Sequence, residues 1–203
     1  MTAPPAAELL QTAFRDLSHP RHALTTEASQ LPDHPGLFAV YGAPETWLRL
    51  GLDAPGGDPP LYVGKTEARG LGHGSSVHFR AGRTAHSTMR RSFAALLRDE
   101  LNLRGVPRNP SEPDRPAHFG LSAEQDAQLD AWLLPRLQIA LWAAPPACAD
   151  VAALEVAVIA RWTPPLNLKP GTTTWRPMVT RARARMANDV RDWATAHGLS
   201  IKP

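Results

Sequence analysis

Apolar residues recur at helical spacing over residues 6–17, where Leu9, Leu10, Phe14 and Leu17 share one face and predict an amphipathic helix. The pattern then breaks: Ser18 to Pro35 is polar and interrupted by Pro20, Pro32 and Pro35, which reads as a lead-in loop. Two short apolar runs follow, 36–41 (Gly-Leu-Phe-Ala-Val-Tyr) and 61–64 (Leu-Tyr-Val-Gly). Their length and β-branched or aromatic content predict strands, joined as a hairpin with a long insertion. The insertion contains a possible helical turn at Thr46-Trp47-Leu48 and a loop signal at Pro55-Gly56-Gly57-Asp58-Pro59-Pro60. Gly70, Gly72 and Gly74 delay the next helix to Ser75 or Ser76. A further helix starts at Ser87 or Thr88 and runs to about Leu101, burying Met89, Phe93, Leu96 and Leu97.

Residues 104–119 form another proline-broken loop. Ser122-Ala123-Glu124-Gln125 is a capping box for a helix through Leu134. Alternation over 136–142 predicts a third strand, Asp150 caps a helix from Val151 to Trp162, and the last helix spans about 177–197. Three short strands covered by helices make an α+β fold.

Composition narrows the class. At 203 residues the chain suits one domain with appended helices. Apolar content of 43% and a mean hydropathy of −0.28, without an apolar run near the ~18 residues of a membrane span, exclude a helical membrane protein. The N-terminus lacks a basic region followed by an apolar one, so a cytoplasmic location is expected. A single cysteine, Cys148, excludes an internal disulfide and a Cys-based zinc site.

Net charge is only +3, but it is unevenly spread. Residues 62–108 carry nine Lys or Arg against Glu67, Asp99 and Glu100, and residues 171–203 carry six against Asp189 and Asp192. Two basic blocks on a mildly acidic body suit a polyanion-binding face. The bland alternative is arginines that solvate helix surfaces.

The chemistry-bearing residues are few. Tyr62 ends a short strand in Leu61-Tyr62-Val63-Gly64-Lys65, and His78 follows in a basic segment with Arg80 and Arg83. Glu155 interrupts the apolar run Val151 to Ile159, where a carboxylate is costly unless paired or metal-bound. Asn167 closes Pro164-Pro165-Leu166-Asn167. Phosphodiester hydrolysis needs a positioned nucleophile, a base, and positive charge against the developing oxyanion. With an ordinary pKa near ~10, a tyrosine serves as base only where cations favour its phenolate. Lys65 and the basic helix are candidates to supply them. Singly, each residue has a plainer role: a half-buried Tyr, a surface His, a turn Asn, or a Glu paired with a basic neighbour.

In order, spacing and context, Gly36-Leu37-Phe38, Leu61-Tyr62-Val63-Gly64, His78, Glu155 and Asn167 resemble the GIY-YIG nuclease family over residues 36 to about 168. Arg90-Arg91-Ser92-Phe93 is similar to a basic helix in homing and restriction members. The resemblance implies a small three-stranded antiparallel sheet flanked by helices, with extra N-terminal (1–35) and basic C-terminal (169–203) elements. It further implies an endonuclease that cuts double-stranded or branched DNA with one Mg²⁺ or Mn²⁺. On that likeness Tyr62 and His78 activate water and Glu155 holds the metal. Asn167 holds local backbone and touches phosphate, while Lys65, Arg80, Arg83, Arg90, Arg91, Arg181 and Arg185 engage DNA.

Two positions depart from the family pattern. Phe38 replaces the first tyrosine, and Tyr41 cannot substitute because it lies on the other strand face. Gly74 stands where an arginine is expected. These departures allow a slower or altered nuclease, or a nucleic-acid-binding module that has lost cleavage on the same scaffold. A third class, a nucleotide-binding enzyme built on Gly70-Leu71-Gly72-His73-Gly74-Ser75-Ser76, lacks the Gly-Lys-Ser/Thr ending of a phosphate loop and a βαβ context.

Overall fold

The chain's alternating apolar segments assemble into an antiparallel sheet with helices on both faces. The structure is a computed structural model. It describes residues 6–24, 34–53, 56–66, 83–146, 148–168 and 173–201. In chain order the elements are α1 (Ala6–Ser18), β1 (His22–Ala23), β2 (Gly36–Gly42), α2 (Pro44–Arg49), β3 (Tyr62–Thr66), α3 (Thr88–Leu96), α4 (Ala123–Leu133), β4 (Leu137–Ala143), α5 (Val151–Trp162) and α6 (Arg176–Ala196). Short 3₁₀ turns lie at Thr84–His86 and Pro116–His118.

The sheet order is β1-β4-β2-β3, every pairing antiparallel. The expected three strands are therefore four. The extra one, β1, pairs His22 with Ile139 and Ala23 with Gln138 inside the segment read as loop. Two residues are too few to show a period-2 pattern, so only the β4 edge reveals it. The expected β2–β3 hairpin is present, with Phe38 opposite Gly64 and Val40 opposite Tyr62.

Strand alternation sorts the two faces. Leu37, Ala39, Tyr41 and Val63 face α1 and α5, whereas Phe38 and Val40 face the layer containing α3 and α6. Caps appear where the sequence places them. Ser87 Oγ accepts from Arg90 N–H, Ser122 Oγ from Gln125 N–H, and Asp150 Oδ1 from Ala153 N–H. Helix α3 stops at Leu96 rather than Leu101 and continues as turns to Asn102, which adopts a left-handed conformation (φ 49°).

Gly64 belongs to the packing of the site's aromatic floor. A Cβ there would sit 2.4 Å from Phe38 Cζ and 3.0 Å from Tyr62 Cε1. The two rings lie 6.1 Å apart across the hairpin, and Phe38 is fully buried. Gly64→Ala should therefore displace both rings. A loss of about 1–3 kcal/mol by denaturant unfolding, with a changed near-ultraviolet aromatic signal, is the expected result.

Candidate active site

Sheet edge β3 brings the residues of interest together. Tyr62 ends up on the α3 side of the strand, while α5 lies against the opposite face. After α5 the chain turns at Thr163, in a left-handed conformation (φ 47°), and passes round the edge of β3. Leu166 N–H donates to Leu61 carbonyl at 3.1 Å. Asn167 then seals the strand: its Oδ1 accepts from Val63 N–H and its Nδ2 donates to Val63 carbonyl, both at 2.8 Å. One buried amide thus satisfies the outward backbone groups of an edge residue, as a neighbouring strand would.

A cleft of about 730 Å³ opens over this edge. Tyr62, Glu155, Asn167, Arg91, Arg183 and His118 line it, so three of the predicted catalytic residues converge although they come from distant parts of the chain. Burial and then Glu155 push the Tyr62 phenol well above its ordinary pKa, against the pull of Arg91 and Arg183. The expectation that neighbouring cations make Tyr62 a ready phenolate is thus outweighed by desolvation. Tyr62 is a neutral phenol at neutral pH.

Other predicted residues are placed differently. Phe38 is a core residue with its ring toward Tyr62. Tyr41, on the other face, donates its hydroxyl to Leu17 carbonyl at 2.6 Å and takes no part. Lys65 shares the face of Val63, not that of Tyr62, because one odd step along a strand reverses the side chain. His78 and Arg80 lie outside the described residues, as does the glycine-rich segment before them.

Among the expected DNA-contacting arginines, Arg90 is a correction. Only 1% exposed, it donates to Asp126 Oδ1 at 2.6 Å, to Thr84 Oγ1 at 3.1 Å and to Asp130. Its charge holds α3 to α4 and is unavailable to phosphate. Arg185 is exposed but pairs with Asp99 at 2.8 Å. Arg83 and Arg181 are exposed. Arg91 does reach the cleft, where burial, then Arg183 and Arg108, lower its pKa to about 10.

Sequence reasoning missed two cleft residues. Arg183 lies two positions from both Arg181 and Arg185, hence roughly 200° around the helix from each, on the inward side. His118 comes from the loop 104–120, which a Val106–Gly120 bridge closes. Gly105 lets that loop approach α6, since a Cβ would sit 2.2 Å from Met186 carbonyl. Burial, followed by Arg91, Arg108, Arg115 and Arg183, lowers the His118 pKa, so the imidazole is neutral at pH 7. No periodic signal in a proline-broken loop could have announced it.

A second, similar cavity of about 780 Å³ lies by α2, lined by Arg21, Arg49, Arg136 and Asp58. Its guanidinium groups are already engaged. Arg21 bonds Asp58 at 2.5 Å and stacks 3.6 Å over Tyr41, Arg49 pairs with Glu100, and Arg136 donates to Trp132 carbonyl. In the cleft over β3, by contrast, Arg91 Nε is buried without a hydrogen-bond partner.

Glu155 is the sole carboxylate among the described residues lining that cleft, and no cluster of three or more His, Cys, Asp or Glu suited to a metal occurs among the described residues. One carboxylate oxygen donor in an open cleft fits Mg²⁺, which keeps waters and takes substrate phosphate as ligand. It does not fit a dedicated protein cage. Among the described residues no helix is long and apolar enough to cross a membrane. Searches of curated proteins and of solved structures returned no significant match. The GIY-YIG catalytic-domain model matches residues 57–184, a span that takes in Tyr62, Arg91, His118, Glu155, Asn167 and Arg183 and covers more than half of the chain, and the protein belongs to this family of nucleases.

Proposed function

We propose that the protein is a divalent-metal-dependent DNA endonuclease whose reaction takes place in the cleft over β3. The observation that carries this reading is the meeting of Tyr62, Glu155 and Asn167 in one hollow walled by arginines. Glu155 would hold Mg²⁺ or Mn²⁺, and such an ion supplies Lewis-acid stabilisation to the leaving 3′ oxygen. Asn167 fixes the height of Val63, and so of Tyr62, through its two backbone bonds. The Tyr62 oxygen orients the attacking water, and its phenolate, the minor form at neutral pH, takes up the proton of that water and becomes the phenol. Arg91 and Arg183, the two cations that favour that phenolate, stabilise the reacting form of the base. His78 is the further proton acceptor that the family likeness suggests.

The organisation that goes with this reading is a nuclease unit over 36–168, preceded by α1 and its lead-in and followed by the basic α6 extension. Double-stranded or branched DNA is the substrate class, with Arg83 and Arg181 as outer contacts. A cytoplasmic site of action is part of the same reading. Incubating supercoiled plasmid with the protein and Mg²⁺ or Mn²⁺ tests the reading: open-circular and linear products should appear, and chelation with EDTA should prevent them. Salt-sensitive DNA binding without any product, under either metal, would instead favour a binding module that keeps the scaffold and has lost cleavage. The raised Tyr62 pKa is the feature that would explain it.

A further inference from the structure

We infer that Arg91 of α3 and Arg183 of α6 form a built phosphate site, a pair of guanidinium groups that grips a nucleic-acid backbone phosphate beside Tyr62. The site as an anion site stands on its own; its part in cleavage rests on the function proposed above.

The pair leaves a charge imbalance in a sheltered place. Arg91 is only 7% exposed. Its Nη1 donates to Ala85 carbonyl at 2.6 Å and its Nη2 to Thr88 Oγ1 at 3.3 Å, so the side chain is fixed. Its Nε is buried with no hydrogen-bond partner. Among the described residues neither Arg91 nor Arg183 has a carboxylate partner. The other sheltered arginines are compensated: Arg90 by Asp126 and Asp130, Arg98 by Asp189, and Arg21 by Asp58. Arg136 lies 5.1 Å over the Trp132 ring.

Two unpaired guanidiniums in one half-dry cleft repel each other and lose hydration. A folded-state pKa below the unfolded one means that charging Arg91 opposes folding at every pH below about 10, neutral pH included. An anion with several acceptor oxygens removes both penalties, and phosphate matches the donor fork of arginine. Glu155 lines the same cleft and is the residue proposed to hold the metal. The pair also supplies, from two other elements, the cation whose expected position is taken by Gly74. Helix α6 is then part of the reaction site and not only an added grip.

Thermal unfolding of the full chain in EDTA, with inorganic phosphate against chloride at matched ionic strength, tests the site. Phosphate should raise the wild-type Tm saturably beyond chloride. Arg183→Met should raise the ligand-free Tm and abolish the phosphate increment; Arg91→Met should abolish the increment; Arg161→Met, an exposed control, should change neither. Increments retained in both cleft variants, or a ligand-free Tm that falls in Arg183→Met, would overturn the site. A non-cleavable DNA duplex distinguishes the source of the phosphate. Each cleft variant should bind it at least tenfold more weakly, with the log–log salt slope reduced by about 1. Unchanged duplex binding would overturn the assignment to a backbone phosphate. Plasmid nicking separates the two proposals. Nicking with an unaltered phosphate response in the variants sinks only the arginine pair, and a lost response without nicking by wild type sinks only the nuclease.

Discussion

Arg90→Met is expected to lower folding stability by about 3–5 kcal/mol, the usual cost of removing one partner from a buried ion pair. In a chain of this size that corresponds to a fall in Tm of roughly 10 °C. The cause is local and specific. Asp126 is 3% exposed, and burial already raises the Asp130 pKa against the pull of Arg90. Without the guanidinium, two carboxylates remain between α3 and α4 with no counter-charge. Neutralising them should restore much of the loss: the triple variant Arg90→Met, Asp126→Asn, Asp130→Asn should be more stable than Arg90→Met alone. Urea unfolding of the series measures this. A stable Arg90→Met protein that had only lost affinity for DNA would contradict the buried role. At the neighbouring position no carboxylate is stranded, because among the described residues Arg91 has no carboxylate partner and bonds instead to Ala85 carbonyl and Thr88 Oγ1. Two adjacent arginines in Arg90-Arg91 thus serve the fold and the site respectively.

Tyr62→Phe should cost about 10²–10⁴-fold in kcat, the range attributed to a positioned proton-transfer group. The fold should be little affected, since the ring, packed near Phe38, is kept. KM should change little if the arginines hold the phosphate. The pH profile carries a second signature. Burial and Glu155 hold the phenol protonated far above neutral pH, so phenolate is scarce and increases with pH. Wild-type cleavage should therefore rise by up to about tenfold per pH unit between pH 7 and 9, and Tyr62→Phe should lose that dependence. Glu155→Gln should also abolish cleavage, while retaining duplex binding in EDTA. Full activity in Tyr62→Phe would remove the tyrosine from the reaction.

Much of this molecule was legible in order of residues. Helix α1, the β2–β3 hairpin, the caps at Ser87, Ser122 and Asp150, and the placement of Tyr41 away from Phe38 all follow from periodicity and local side-chain chemistry, which act within a few residues. The membership in the nuclease family could also be read, because Tyr62, Glu155 and Asn167 keep their order and context. What local patterns could not settle was which charges remain unpaired. Lys65 went to the wrong face by one strand step, and Arg90 spent its charge on α4, thirty-six and forty positions away. Arg183 and His118 entered the cleft only because α6 and the loop 104–120 pack there.

The sequence by itself determined most of the helices, the β2–β3 hairpin, the caps at Ser87, Ser122 and Asp150 and the set of reactive residue types, since these depend on backbone geometry and nearest neighbours. The tertiary structure alone decided the added edge strand, the division of labour between Arg90 and Arg91, and the protonated state of Tyr62. The first turns on pairing with the distant β4 and the others on burial and distant charges, and desolvation is a property of the folded surroundings that no linear pattern contains.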